Sequence, residues 1–140
     1  MKKKILFTIL LGTCAVPVFA GGNDAPPAVK AKFVSLYPRA VKIKWEKEKA
    51  NYEASFRIQR TEMSCLFDST GSVLETESEI EIAALPKAAA AYIAKNYAGQ
   101  KIKEAARITT TQNVTTYEAE VKEGDLVFDS NGIFIKKIVE

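Results

Sequence analysis

The sequence has 140 residues, of which 20 are basic and 17 acidic, and it contains no histidine. A chain of this length fits one domain with its own core, and the absence of histidine excludes a His-based catalytic triad and a His-ligated metal. The small excess of positive charge does not indicate a nucleic-acid-binding protein.

The first 20 residues have the pattern of a secretory signal peptide. Lys2 to Lys4 precede an apolar run from Ile5 to Leu11, and Val18 to Ala20 form a small-residue cleavage site. The apolar run is too short for a permanent membrane-spanning helix. Removing the signal leaves 17 basic and 17 acidic residues, so the positive charge belongs to the leader. We expect cleavage after Ala20 and export to the periplasm or the medium.

Cys14 offers an alternative, because Leu11 to Cys14 resembles a lipoprotein signal that would anchor the protein through an acylated Cys14. Thr13 fits that pattern poorly, and the apolar sequence continues to Ala20, so the ordinary signal is favoured. After cleavage Cys65 would be the only cysteine, which excludes an internal disulfide and a structural zinc site. Its place in an alternating run predicts a buried, unreactive thiol.

A helix followed by four strands is predicted for the first half of the mature chain. Pro26-Pro27 starts the helix and Pro38 ends it. Period-two alternation and short connections then predict an antiparallel meander, with one face buried and one wet. In the first strand the apolar members of the alternation, Val41, Ile43 and Trp45, are expected on the buried face. The strands are predicted at Val41 to Glu46, Tyr52 to Gln59, Glu62 to Phe67 and Ser72 to about Ile80.

The second half repeats this order. Leu85-Pro86 starts a helix that Gly99 ends, and strand-like runs follow at Lys101 to Thr110, Tyr117 to Val121, Leu126 to Phe128 and Ile133 to Val139. Self-similarity at this period indicates two related units, about 26–82 and 83–140, within one domain spanning 21–140. The predicted fold class is α+β: a tandem repeat of α-β-β-β-β units, with an antiparallel meander sheet and both helices on one face.

The same turn closes the third strand of each unit. Asp68 to Gly71 and Asp129 to Gly132 both read Asp-x-x-Gly after a phenylalanine. The Asp side chain can accept bonds from the backbone two residues on, and Gly can adopt a positive φ, so a type I turn with a glycine bulge is predicted. A calcium loop would need more carboxylates than either copy supplies.

Four glutamates at period two, Glu75, Glu77, Glu79 and Glu81, end the first unit. Like charges on one face repel one another, so we interpret the row as an exposed acidic edge that discourages sheet-to-sheet aggregation. The alternative is a weak site for calcium or for a basic partner.

The order of these motifs resembles a known family. It runs Tyr37-Pro38, Val41-x-Ile43-x-Trp45-Glu46, Tyr52-Glu53-Ala54-x-Phe56, Phe67-Asp68-x-x-Gly71 and Leu85-Pro86 with Tyr92-Ile93. The sequence is similar to the PepSY-like, β-lactamase-inhibitor-like secreted proteins of Bacteroidetes. The resemblance implies an exported protein with a tandem fold similar to that of the β-lactamase inhibitor protein. It implies no catalytic, metal or cofactor-binding residues.

The predicted function is a non-enzymatic module that binds a protein or peptide and could inhibit a periplasmic enzyme. The expected binding residues lie on the wet faces of the strands: Lys42, Lys44, Glu53, Arg57, Arg107 and Glu118. Trp45 aligns with apolar neighbours and is expected in the core. The alternatives are a small-ligand or calcium carrier, or an enzyme that uses only Glu, Lys and Tyr chemistry. No cofactor or nucleic acid is expected. The protein is expected to be a monomer or a weak oligomer, and the sequence does not identify its partner.

Overall fold

The computed structural model describes residues 24–139, in which eight strands form one antiparallel sheet and two α-helices pack on one of its faces. The predicted signal peptide and Cys14 lie outside the described residues. The helices are α1 (Pro27–Leu36) and α2 (Lys87–Asn96), and a 3-10 turn, Ile82–Ala84, precedes α2. The strands are β1 (Val41–Glu48), β2 (Asn51–Ile58), β3 (Thr61–Phe67), β4 (Val73–Ile80), β5 (Glu104–Thr110), β6 (Thr115–Val121), β7 (Gly124–Asp129) and β8 (Phe134–Ile138).

The strands are hydrogen-bonded in sequence order from β1 to β8, which confirms the predicted meander. Seven antiparallel pairings connect them, and the β4–β5 pairing joins the two repeated units across α2. Neither helix in the described region has the length and hydrophobicity needed to span a bilayer.

Each helix has its own hydrophobic cluster on the sheet. Phe33 of α1 lies 5.0 Å from Phe56 and 5.4 Å from Trp45, measured between ring centroids. In the second unit the ring of Tyr92 stacks on Phe134 at 4.7 Å. We call the covered side of the sheet the helix face and the opposite side the open face. The predictions that Trp45 packs in the core and that Cys65 is buried are confirmed.

The repeated Asp-x-x-Gly turn has the predicted geometry. The Asp68 Oδ1 atom accepts hydrogen bonds from the backbone amides of Thr70 at 2.8 Å and Ser72 at 3.0 Å. Asp129 Oδ1 makes the equivalent bonds in the second unit. Gly71 and Gly132 have φ angles of +92° and +84°, which L side chains rarely adopt. Each turn glycine also lies against the first turn of its unit's helix, so the hairpin fixes where that helix sits.

The predicted burial of Val41 and Ile43 is wrong. The register with β2 shifts between Val41 and Lys44, and Lys42 has a φ of +56°. This irregularity breaks the period-two alternation, so Val41 and Ile43 are both exposed. The alternation resumes at Lys44, which leaves Trp45 on the helix face.

We expect Gly132→Ala to destabilise the protein more than Gly99→Ala. Both glycines have a positive φ, which costs an alanine about 1 kcal/mol. A Cβ at position 132 would also lie 2.7 Å from the Ala89 nitrogen and 2.9 Å from the Pro86 Cβ, whereas nothing lies within 4 Å at position 99. Overpacking adds about 1–3 kcal/mol, so urea denaturation should give a loss of about 2–4 kcal/mol for Gly132→Ala. Equal losses in the two variants would contradict this contact.

Candidate functional site

The open face of the sheet is concave and contains a groove of about 800 Å³. Strands from β1 to β7 contribute side chains to this single cavity, because the sheet curves and brings its distant strands to face one another. Its lining holds ten carboxylates and five basic side chains among the described residues, so the groove is acidic.

Three glutamates from alternate strands occupy the open face around this groove. They are Glu53 on β2, Glu77 on β4 and Glu118 on β6. Glu53 and Glu77 are only 4% and 3% exposed, which is unusual for charged side chains. The curvature of the sheet therefore buries carboxylates on a face that no helix covers.

The interpretation of the four glutamates as an exposed acidic edge is wrong. β4 is a central strand, bonded to β3 on one side and to β5 on the other. Glu75, Glu77 and Glu79 share the open face, whereas Glu81 lies beyond the strand and is exposed. Period-two spacing correctly places the three side chains on one face, but it does not tell a central strand from an edge.

Burial shifts the acid–base equilibria of these groups. Burial raises the pKa of Glu77 to about 9, and the negative charges of Glu118, Glu53, Glu75 and Asp125 add to the shift. Burial also raises the pKa of Glu75 and of Glu118 to about 7. The Lys136 ammonium lowers both of these pKa values in part. At neutral pH Glu77 is thus protonated, whereas Glu75 and Glu118 are near half ionisation.

Glu53 has a related environment at the β1–β2 end. Burial raises the pKa of Glu53 to about 7, the Ser64 hydroxyl and Lys44 oppose the shift, and Glu48 and Glu46 add to it. Among the described residues, neither Glu53 Oε1 nor Ser64 Oγ has a partner that meets the geometric criteria of a hydrogen bond. The Ser64 hydroxyl therefore lies close enough to lower the pKa of Glu53, but it does not form a hydrogen bond of good geometry with it.

The basic side chains at the groove pair with its more accessible acids. Arg57 donates from Nε to Glu62 Oε1 at 2.7 Å, and the Lys103 Nζ lies 3.1 Å from Glu120 Oε1. Lys44 Nζ lies 2.6 Å from Glu46 Oε1. Within the described part of the chain, no basic side chain lies within ion-pair distance of Glu77. The buried centre of the groove at Glu77 thus lacks the ion pairs that are present at its rim.

Five of the six predicted binding residues line the groove: Lys42, Lys44, Glu53, Arg57 and Glu118. Arg107 does not, because it pairs with Ser78 and with Tyr117, whose ring packs against the α2 cluster. Arg107 is exposed to solvent as predicted, but it lies on the helix face and not on the open face with the other five. A binding role for any of the six stays a prediction.

Sequence reasoning missed Glu77 as a groove residue. The signal was present, since every open-face position from Glu75 to Glu79 is a glutamate. The pattern would have pointed to the groove if β4 had been recognised as central.

One set of carboxylates has spacing suited to a metal ion. Glu46, Glu48 and Glu53 each have an oxygen within 4.8 Å of the others. Glu46 and Glu53 directly oppose each other in the β1–β2 register.

Comparisons with known proteins agree with this architecture. The family described as "Putative beta-lactamase-inhibitor-like, PepSY-like" matches residues 22–75 and 50–136. A crystal structure described as a putative periplasmic protein from Bacteroides eggerthii has a TM-score of 0.76 at 16% identity, covering 83% of this chain and 89% of the other. A BLIP-like protein from Bacteroides fragilis has a TM-score of 0.66 at 25% identity, covering 85% and 89%. Among curated proteins, none matches the sequence.

We expect Glu77→Gln to stabilise the protein at about pH 8 but not at about pH 5. The ordinary carboxyl pKa of 4.5 rises to about 9 on folding. The stability that comes from holding this proton is present below pH 4.5 and is lost as pH rises toward 9, by at most about 1.4 kcal/mol per pH unit. Glutamine carries no charge to desolvate, so its advantage should grow with pH in urea denaturation.

Glu79→Gln is the matched control, because Glu79 lies on the same strand and face but is exposed. Its effect on the unfolding free energy should be small at both pH values. If both variants gave the same pH dependence, the burial of Glu77 would not be its cause.

Proposed function

The chain belongs to the PepSY-like, beta-lactamase-inhibitor-like family, and from this premise we propose that it is an exported, non-enzymatic protein-binding module. Its groove would receive a lysine- or arginine-bearing segment of a partner protein. The predicted signal peptide supports export, and the similar Bacteroides eggerthii structure is described as a periplasmic protein.

The observation that carries the proposal is the burial of Glu77 in an acidic groove without a basic side chain at ion-pair distance in the described structure. Removing a carboxylate from water is costly unless an opposite charge and hydrogen bonds replace the water. The described neighbours of Glu77 in the groove add negative charge. An incoming ammonium or guanidinium group would supply what this environment lacks.

The size and shape of the groove also suit a segment of a protein. A volume of about 800 Å³ lies in the upper part of the range for small-ligand sites, so it can hold more than one side chain. An arginine could bridge two carboxylates, because its planar guanidinium presents several donors in a fixed geometry. Glu77 and Glu118 lie on strands β4 and β6, which are separated by β5, and could both face such a group.

The paired rim supports specificity. Arg57 with Glu62 and Lys103 with Glu120 place alternating charges on opposite sides of the groove. Rim charges of this kind affect the association rate and the choice of partner more than the affinity. Arg57 and Lys44 would then contact acidic positions that flank the basic segment.

Inhibition of an enzyme is a narrower form of the same proposal. A basic loop bordering an enzyme's active site would bind in the groove and block access of substrate. The family description and the BLIP-like structural neighbour support testing this form.

We expect an Arg/Gly/Ser decapeptide to bind more tightly than Glu/Gly/Ser and Gly/Ser decapeptides of equal length. Fluorescence anisotropy with labelled peptides in EDTA would measure this, and affinity should fall between about 50 mM and about 500 mM NaCl as charges are screened. Because Glu118 must be ionised to attract the peptide, affinity should also rise from about pH 6 to about pH 8. Glu118→Gln should weaken binding by about fivefold or more, the order of one charge-assisted contact.

Glu81→Gln removes the same charge outside the groove and should leave peptide binding unchanged. Equal binding of all three peptides, or equal losses in the two variants, would contradict a groove that recognises basic segments. The inhibitory form would be tested by adding wild-type and Glu118→Gln protein to periplasmic enzymes, including β-lactamases, and comparing their activities.

A further inference from the structure

The β1–β2 hairpin brings three carboxylates together on the open face. Glu46 and Glu48 are two residues apart on β1 and therefore point to the same side. Glu53 on β2 is the direct partner of Glu46 in the register. One oxygen from each side chain lies within 4.8 Å of the other two. We call Glu46, Glu48 and Glu53 the hairpin triad.

Like charges directly opposite each other destabilise an antiparallel pair. The Lys44 Nζ, 2.6 Å from Glu46 Oε1, offsets one of the three negative charges when all are ionised. A divalent cation bound between the three side chains would relieve the repulsion among them.

A second observation concerns the hydrogen bonding of Glu53. Glu53 is only 4% exposed, and its Oε1 atom has no hydrogen-bond partner that meets the geometric criteria among the described residues. The hydroxyl of Ser64 on the adjacent strand β3 is fully buried and acts on Glu53, but it makes no contact that meets the geometric criteria of a hydrogen bond. Buried oxygens are almost always satisfied by a donor, an ordered water or an ion. The unsatisfied Oε1 atom of Glu53 therefore indicates that the triad binds a ligand.

We propose that the hairpin triad binds a calcium ion, with Glu53 as its buried ligand and Glu46 and Glu48 as its outer ligands. The separation of the oxygens suits this ion. Oxygens within 4.8 Å of one another can all contact one calcium ion, because calcium–oxygen distances of about 2.3–2.6 Å allow ligands up to about 5.2 Å apart. Calcium also accepts irregular geometry, whereas magnesium demands a near-ideal octahedron at about 2.1 Å, so three carboxylates on a hairpin favour calcium. A ligand set made only of oxygens also favours calcium over zinc.

The site is expected to be weak and accessible. Three carboxylates provide fewer ligands than the six to eight that calcium takes, so water would complete the coordination sphere. The Lys44 side chain is 66% exposed and can move away from Glu46 when the ion binds. A dissociation constant of about 0.1–1 mM, typical of extracellular calcium modules, would fit such a site.

The proposed calcium ligands lie at the β1–β2 end of the groove and differ from the proposed contacts of the basic segment. The triad lies on the β1–β2 hairpin, whereas the proposed contacts to the basic segment are Glu77 and Glu118 on β4 and β6. Peptide binding measured in EDTA and calcium binding measured without peptide can therefore fail independently of each other.

Calcium binding would be tested by isothermal titration calorimetry and thermal denaturation of the mature protein in CaCl2 or MgCl2 at about 5 mM, above the expected dissociation constant. We expect calcium to raise Tm by several degrees and magnesium to have a much smaller effect. Glu48→Gln should weaken calcium binding at least tenfold, because it removes one of the three protein ligands. Glu48 is only half buried, so this variant should fold. Glu79→Gln, an acidic residue of the groove outside the triad, should bind calcium like the wild type.

Terbium luminescence offers a second measurement, since terbium prefers the same oxygen ligands and Tyr52 adjoins Glu53 in the sequence. Calcium should displace terbium from the wild type and from Glu79→Gln, while Glu48→Gln should show little signal. Three results would overturn the proposal: no calcium heat or Tm shift, equal responses to calcium and magnesium, or equal losses in Glu48→Gln and Glu79→Gln. Should Glu48→Gln be unfolded, Glu53→Gln would take its place, and calcium binding by that variant would also overturn the site.

Discussion

The sheet is covered on one side only, and the character of the open face depends on that constraint. Both helices pack on the same face, so the large apolar side chains collect there in two clusters. The open face carries the glutamates and other polar side chains, as antiparallel sheets allow, together with the apolar Leu66 and Val127. Curvature then partly removes these polar residues from water, although no second layer covers them. The acidic groove follows from one-sided packing combined with a bent sheet.

Burying glutamates on the open face lowers the stability of the fold but prepares that face to bind a cation. The free energy that folding gains from the helix face is partly offset by the cost of desolvating Glu53, Glu75, Glu77 and Glu118. Protonation reduces that cost, and a bound cation would reduce it further while adding contacts. Residues placed at such a cost are common at functional sites, where stability is lower than the fold alone would permit. The two proposals differ in the cation that relieves the cost, a basic side chain at Glu77 and Glu118 or a metal ion at the hairpin triad.

The sequence predicted the elements of this fold better than it predicted the site. Both helices, the strand order, the buried Cys65 and the Asp-x-x-Gly turns depend on local patterns that a sequence displays directly. The side of the sheet on which an individual residue lies was predicted less well. A single register irregularity at Lys42 exposes Ile43, and Arg107 lies on the helix face because the pairing with β6 fixes its side. Glu77 was misread because its burial depends on strands from both halves of the chain and on sheet curvature, which local alternation does not encode.

We expect the β4–β5 pairing to form late in folding, with consequences for the groove. Most strands pair with the next one through a short turn, but β4 and β5 are separated by the 3-10 turn and α2, which makes theirs the costliest loop to close. Each half can collect its own helix and hairpins before this seam forms. Glu77 comes from the first half and Glu118 from the second, so a chain that has folded both halves without joining them has two cores but no groove. The groove therefore forms only when the seam closes, and a partner of the proposed kind would stabilise the joined state of the two halves.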